Sequence, residues 1–196
     1  MVAPRARRVP GYAPTDSAGH LPTRQGAIAA GLSEVGARLP GMATWQQFET
    51  EAPDLAAAVR ARFEATKHHV LATLRKDGSP RVSGTEVRVY DGDLTIGSMW
   101  QAVKARDLQR DGRYAVHANP GDGSMAGGDA KVAGVAVEVV DEAGLAAYAS
   151  ATGPPDGPFH FFRLGLAEVV LTSVDGDHLV IQTWRPGGPP TRVERT

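Results

Sequence analysis

The sequence contains no cysteine among its 196 residues. This absence excludes a disulfide framework, a thiolate zinc site, an iron–sulfur cluster and a cysteine nucleophile. An excess of charge of one sign is also lacking, because 21 Lys and Arg residues are balanced by 22 Asp and Glu residues. With a formal net charge of -1, the chain has no overall positive field to attract nucleic acid or an anionic membrane surface. We therefore expect neither as a partner.

Long hydrophobic runs are missing as well. No stretch approaches the roughly 18 consecutive apolar residues that a membrane-spanning helix requires. The apolar patch near the basic N-terminus, residues 27–32, is too short for a signal peptide. These absences predict a soluble, cytoplasmic protein. Among the histidines only His68 and His69 are close together, and neighbours on a strand point to opposite faces, so we expect no metal site.

Composition divides the chain into three parts. Residues 1–41 mix Pro, Gly, Arg and small residues without a period, which predicts a disordered N-terminal tail. Met42 opens the patterned part of the chain and is a second candidate for the start of translation. Residues 42–190 are predicted to form a single domain, and residues 191–196 a short C-terminal tail.

A short turn and then a helix are predicted at the start of this domain. Thr44 is placed to cap the turn, which carries Trp45 and Phe48, and Pro53 suits the first turn of the helix. Leu55, Val59 and Phe63 recur at the four-residue spacing of an amphipathic helix that packs on a core.

Beyond residue 67 the hydrophobic period changes to two. Asp-Gly pairs at 77–78, 91–92 and 175–176 separate the apolar runs, as they do in β-hairpins. Leu74 is expected in the core. The predicted strands cover residues 70–74, 81–89, 93–98, 114–119, 131–140, 159–173 and 178–184, with helices at about 102–110 and 142–151. Hairpin connections favour an antiparallel barrel over a parallel sheet.

One stretch places groups of complementary chemistry close together. A predicted strand ends at Gly97 and Ser98, and the next helix carries Lys104 and Arg106. A hydroxyl, the free N–H groups of a helix N-terminus and two cations together suit a phosphate. The alternative is an ordinary surface helix whose charges are solvated. The signatures of P-loop, Rossmann and common hydrolase sites are absent from the sequence.

The same stretch resembles a known family. Residues 80–86 (PRVSGTE), 91–98 (DGDLTIGS) and 104–108 (KARDL) are similar to the pyridoxamine 5'-phosphate oxidase-like family of flavin-binding split β-barrels. The resemblance covers roughly residues 42–185 and is most specific in 81–108. It implies a mainly β fold: a six-stranded antiparallel split β-barrel with Greek-key connections and short flanking helices.

The resemblance also implies a homodimer that binds FMN in a groove at the subunit interface. By position, Arg81 would contact the FMN phosphate, Ser98 would hydrogen-bond it and Lys104 would pair with it. Trp184 would line the site from near the C-terminus, although core packing is the alternative for this residue. The full set of expected cofactor-binding residues is Arg81, Val82, Ser83, Gly97, Ser98, Lys104, Arg106 and Trp184.

Two departures from the family pattern bear on the activity. Glu86 and Val103 stand where the pyridoxamine 5'-phosphate oxidases proper have basic residues. Two lost cations weaken a phosphate site, so oxidation of vitamin B6 is not expected. The expected function is an FMN-dependent oxidoreductase that transfers a hydride to or from a small organic substrate, with no catalytic residue assigned. The alternatives are a reductase that uses the deazaflavin coenzyme F420 and a non-catalytic flavin-binding module.

Overall fold

The structure is a computed structural model that describes residues 41–121, 125, 127–154 and 156–196. The predicted N-terminal tail, residues 1–41, lies outside these ranges except for Gly41. None of the helices in the described ranges is long and apolar enough to cross a membrane.

Four helices and nine strands follow one another along the described residues. In chain order they are α1 Trp45–Glu51, α2 Pro53–Glu64, β1 His69–Leu74, β2 Pro80–Thr85, β3 Arg88–Tyr90, β4 Asp93–Met99, α3 Val103–Arg110, β5 Arg113–His117, β6 Asp129–Val139, α4 Glu142–Thr152, β7 Phe159–Asp175, β8 His178–Trp184 and β9 Thr191–Arg195.

The two N-terminal helices form for the reasons that the sequence indicates. Thr44 Oγ1 accepts a hydrogen bond from the Gln47 N–H at 3.0 Å and so caps α1. Pro53 occupies the first turn of α2, and Leu55, Val59 and Phe63 are buried along one face of that helix. The predicted helix is present as α2, whereas the short turn predicted after Thr44 is the seven-residue helix α1.

A single antiparallel sheet contains every strand of the described chain, in the order β2-β1-β5-β6-β7-β4-β3, with β8 paired to β7 and β9 paired to β8. The 17-residue strand β7 is central, because it pairs with β6, β4 and β8. This confirms the predicted mainly β, antiparallel fold with short flanking helices. The sheet is not closed, and its nine described strands exceed both the seven predicted from the sequence pattern and the six of the barrel that the resemblance implies.

The difference in strand number has local causes. The predicted strand 81–89 is broken at residues 86–87 into β2, which pairs with β1, and β3, which pairs with β4. Residues 191–196 were expected to be a tail, but Thr191–Arg195 forms β9 along β8. Leu74 was expected in the core, but it is only half-buried because it lies on the opposite face of β1 from the fully buried Leu71.

The core lies between one face of the sheet and helices α1 and α2. Its largest fully buried side chains are Trp45, Phe48, Leu71, Leu94, Ile96, Phe162, Leu164, Leu166 and Trp184. A register shift between Ala133 and Gly134 bends β6 where it crosses β7. A side chain at Gly134 would place its Cβ 1.9 Å from the carbonyl oxygen of Gly165, so the two strands approach too closely there for any other residue.

A buried carboxylate attaches α3 to the sheet. Asp107 Oδ2 accepts hydrogen bonds from Arg81 Nε of β2 at 2.6 Å and from Thr73 Oγ1 of β1 at 3.1 Å. Its Oδ1 accepts a third from Arg110 at 3.0 Å. Burial alone would raise the pKa of Asp107, but the three hydrogen bonds outweigh burial and the pKa is lowered. The charged carboxylate therefore holds the helix that carries Lys104 against two strands.

Substitution of Gly134 by Ala tests the close approach of β6 and β7. We expect Gly134→Ala to lower the free energy of unfolding by about 1–3 kcal/mol, because the new methyl group forces the strands apart. Urea denaturation followed by circular dichroism measures this. Gly188→Ala is the matched control, since a Cβ at Gly188 meets nothing within 4 Å. Equal effects of the two changes would contradict the strand register.

The attachment of α3 is tested by Asp107→Asn. We expect a loss of about 1.5–3 kcal/mol in the free energy of unfolding, because the neutral amide is a weaker acceptor for two guanidinium groups. The control is Asp111→Asn, which removes a carboxylate whose ion pair with Arg113 lies at the surface and contributes little. If urea denaturation shows the two variants to be equally stable, the buried carboxylate does not have the role described.

Candidate functional site

A cavity opens where the sheet splits. Strand β3 pairs only with residues 93–95 of β4, so Gly97 and Ser98 lie on an edge of β4 that β3 does not cover. The cavity at this edge has a volume of about 870 Å³, within the range of small-molecule sites. The end of β2, the start of α3 and the segment from α4 to β7 surround it. Its lining includes Gly84, Thr85, Glu86, Gly97, Ser98, Met99, Trp100, Lys104, Tyr148 and Phe159.

Ser98 lines the cavity, and its hydroxyl is a buried polar group without a partner among the described residues. Ser98 is only 8% exposed, and its Oγ has no hydrogen-bond partner among the described residues. Buried hydroxyls are nearly always hydrogen-bonded, because an unpaired one loses its water without compensation. The position of Ser98 therefore suits a ligand atom that accepts or donates a hydrogen bond.

Lys104 and the start of α3 provide positive charge in the lining of the same cavity. Lys104 Nζ donates to the carbonyl oxygen of Gly84 at 2.6 Å. Burial lowers the pKa of Lys104, and the charge of Glu86 partly opposes that shift. Ala102 precedes α3 without a side-chain cap, so the N–H groups of Val103 and Lys104 remain available, whereas the Ala105 N–H donates to the Ala102 carbonyl oxygen at 3.0 Å. An anion in the cavity would satisfy these N–H groups and stabilise the ammonium group.

A cluster of charges forms another part of the lining. The Glu86 carboxylate lies 3.2 Å from Lys67 Nζ, 3.9 Å from Arg88 and 3.8 Å from His68 Nε2. The single carboxylate is shared between two cations and a histidine, so this part of the cavity is polar and has no excess of negative charge.

The wall formed by α4 is aromatic. The Tyr148 ring stacks on Phe161 with centroids 3.9 Å apart, and a Cβ at Gly97 would come within 3.2 Å of the Tyr148 hydroxyl. Glycine at position 97 therefore allows the ring to approach the strand edge. Burial raises the pKa of Tyr148, so its phenol stays protonated at neutral pH.

The structure brings together three of the eight residues expected at the cofactor site. Gly97, Ser98 and Lys104 all line the cavity. Arg81 lies instead beside a neighbouring open depression of about 550 Å³, where its guanidinium is bound to Asp107. The other residues around this depression are Arg75, Lys76, Asp77 and Arg110.

The remaining four expected residues do not line the cavity. Val82 is 70% exposed on the outer face of β2, whereas Ser83 is half-buried opposite Leu71. Arg106 is exposed on α3.

Trp184 is fully buried in the core, where its ring packs 4.7 Å from Phe48 and its Nε1 donates to Glu51 Oε2 at 3.2 Å. For this tryptophan the structure has the core packing that the sequence left as an alternative.

Sequence reasoning did not find the residues contributed by α4 and the segment after it. Tyr148, Thr152, Gly153 and Phe159 line the cavity although they lie about fifty residues beyond Ser98 in the chain. One signal was available, because Tyr148 is the single aromatic residue in an otherwise small and apolar helix. Groups of three or more His, Asp or Glu residues that could hold a metal ion are absent from the described residues.

Solved structures of other proteins have a fold similar to that of this chain. A pyridoxamine 5'-phosphate oxidase-related, FMN binding protein from Nostoc punctiforme is 14% identical, with 74% of this chain and 95% of that chain covered at a TM-score of 0.53. PhzG from Burkholderia lata, solved with tetrahydrophenazine-1-carboxylic acid, is 19% identical, with 84% and 100% covered at a TM-score of 0.50. At these identities the likeness concerns the fold alone.

Comparison of sequences identifies the family. No curated protein matches the chain. The sequence model described as Pyridoxamine 5'-phosphate oxidase, however, matches residues 55–173, which include β1 to β6 and most of β7. This match covers more than half of the sequence and contains Ser98, Lys104 and the cavity between them. The chain therefore belongs to the pyridoxamine 5'-phosphate oxidase-like family.

Proposed function

We propose that this protein is an FMN-binding oxidoreductase that transfers a hydride between a reductant and a small organic substrate. The observation that carries the proposal is the unpartnered Ser98 hydroxyl, which shares a cavity with Lys104 at the uncapped start of α3. Together they offer a hydrogen bond, a full charge and free backbone N–H groups to a phosphate. Family membership supports a flavin as the group that carries this phosphate.

Each part of the cavity would have a separate task. Ser98 and Lys104 would hold the phosphate, while Gly97 allows the Tyr148 ring to lie against the strand edge. Tyr148 and Phe159 would exclude water from that side of the site. When bound, FMN supplies the hydride chemistry, and the protein contributes binding and orientation.

The charges of the cavity support a substrate other than a vitamin B6 phosphate. Glu86 places a carboxylate in the lining, and Val103 leaves the start of α3 without a second cation. Glu86 is itself in contact with Lys67 and Arg88, so these cations are partly neutralised and less available to a second phosphate group. An uncharged organic substrate fits this lining better.

A deazaflavin coenzyme is the second candidate for the cofactor. It carries acidic groups beyond its phosphate, and the depression next to α3 offers the exposed cations Arg75 and Lys76 beside Arg81 and Arg110. Asp107 borders this depression and lies one helical turn from Lys104 on α3. A cofactor with an anionic extension would make use of both sites, whereas FMN would use only the cavity.

Titration of the cofactor-free protein with FMN tests the site. We expect Lys104→Ala to weaken FMN binding by about 1.5–3 kcal/mol, or tenfold or more, because one charge-assisted interaction is lost. Flavin fluorescence measures the affinity. Lys76→Ala is the matched control, and it should leave FMN binding unchanged. Unaltered affinity in Lys104→Ala would show that the phosphate binds elsewhere.

The same titration distinguishes the alternatives. Binding of the deazaflavin coenzyme but not FMN, weakened by both Lys104→Ala and Lys76→Ala, would identify a deazaflavin-dependent reductase. A flavin that binds tightly but is reduced by no nicotinamide or other donor would identify a non-catalytic flavin-binding module. Absence of binding by either cofactor would contradict the proposed function.

We also propose that the protein forms a homodimer through the outer face of β1 and β2. This face is apolar and without charge, and two such faces would bury each other against water. The register of the two strands places Val70 opposite Gly84, Ala72 opposite Val82 and Leu74 opposite Pro80. Because Lys104 binds the carbonyl oxygen of Gly84, the face is adjacent to the cavity.

A charged residue on this face should dissociate the dimer. We expect Val82→Lys to sediment as a monomer in analytical ultracentrifugation, because burial of the new charge would be unfavourable. The control is Val174→Lys, which changes a valine that is 52% exposed at the far end of β7 and should leave the assembly unchanged. A wild-type protein that is monomeric at all concentrations would contradict the proposal.

A further inference from the structure

The turn that leads into α3 contains a strained residue. The Ala102 N–H donates to the Met99 carbonyl oxygen at 3.1 Å, which closes a tight turn directly before the helix. Within this turn Gln101 has a φ of 61°, in the left-handed region that favours glycine. A glutamine remains in this conformation only where its surroundings hold it there.

His160 holds Gln101 in this conformation. Its Nε2 accepts a hydrogen bond from the Gln101 N–H at 3.1 Å. The imidazole ring also stacks on Trp100, with centroids 4.7 Å apart and planes inclined by 12°. His160 itself is buried on β7, directly opposite Ser98 of β4. The histidine therefore contacts two consecutive residues of the turn and is itself fixed by the sheet.

Glu138 determines which ring nitrogen of His160 accepts the hydrogen bond from the Gln101 N–H. The backbone N–H of Gln101 is only a donor, so Nε2 must carry a lone pair and the proton must be on Nδ1. That proton points to Glu138 Oε1, 2.6 Å away. Glu138 Oε2 accepts from Gln109 Nε2 of α3 at 2.8 Å. One carboxylate thus orients the histidine and contacts the helix that follows the turn.

We propose that Glu138 and His160 are positioning residues that hold the turn at residues 99–102 in its strained form and so set where α3 begins. This inference rests on the proposed function, because the start of α3 and Lys104 are the groups assigned to the cofactor phosphate. Neither residue needs to touch the cofactor. Glu138 and His160 would affect cofactor binding indirectly, by fixing the backbone of Gln101 and with it the uncapped first turn of α3.

The decisive variant is His160→Phe, which keeps a flat ring under Trp100 but removes the acceptor for the Gln101 N–H. We expect it to weaken FMN binding about fivefold to tenfold, as the loss of one hydrogen bond would. His160→Gln, which retains a side-chain acceptor, should bind FMN nearly as the wild type does. Affinity in His160→Phe equal to that of the wild type would overturn the proposal.

A second substitution distinguishes a positioning role of His160 from a general destabilisation of the protein. Glycine adopts the φ of residue 101 without strain, so Gln101→Gly combined with His160→Phe should restore FMN affinity to within about twofold of the wild type. A loss of affinity that Gln101→Gly does not restore would mean that His160 acts in another way, and would overturn the proposal. If His160→Phe does not fold, Glu138→Ala, which frees the imidazole to take the other tautomer, is tested in the same way.

Fluorescence of the cofactor-free protein tests the turn independently of the proposed function. Trp45 and Trp184 are fully buried whereas Trp100 is 53% exposed, so quenching by acrylamide reports on Trp100. We expect acrylamide to quench Trp100 fluorescence more strongly in His160→Phe and in Glu138→Ala than in the wild type. If the wild type does not bind FMN, the proposed function fails, and the quenching alone decides the inference. Unchanged quenching in both variants would overturn it.

Discussion

The buried carboxylate of Asp107 is the interaction on which the site depends. It joins α3 to β1 through Thr73 and to β2 through Arg81, and both strands lie at one end of the sheet. Lys104 is one helical turn away, so its ammonium group is positioned by the same contact. A buried charge is tolerated there because it has three donors, and removal of any of them leaves it partly unsatisfied.

The second constraint is the short length of β3. Three residues pair with the start of β4 and leave the rest of its edge uncovered. Uncovered strand edges normally attract another strand, but here α3 and α4 flank the edge and leave a cavity instead. The positions of Ser98 and Lys104 in the cavity lining therefore follow from where one strand stops and the next helix starts. The same gap admits Tyr148 from a distant part of the chain.

Elements with strong local signals were predictable from the sequence. Asp91 and Gly92 both adopt positive φ in the turn between β3 and β4, as an Asp-Gly hairpin requires. The helix periodicity of Leu55, Val59 and Phe63 and the alternation along β7 also have local origins. The break at residues 86–87 was not predictable, because alternation continues through it and only the pairing partners change. Strand β9 is exposed along its whole length, so it lacks the hydrophobic pattern that would identify it.

The sequence by itself determined the fold class and the family. It also placed Ser98 and Lys104 in one cavity, because they are close neighbours in a single strand–turn–helix segment. Tertiary structure alone decided the partners of long side chains. Arg81 binds a carboxylate 26 residues away, and Trp184 donates to one 133 residues away. His160 likewise reaches the turn before α3 from 59 residues further along the chain. Local sequence patterns do not indicate such contacts, because only the packing of the sheet determines which distant groups can meet.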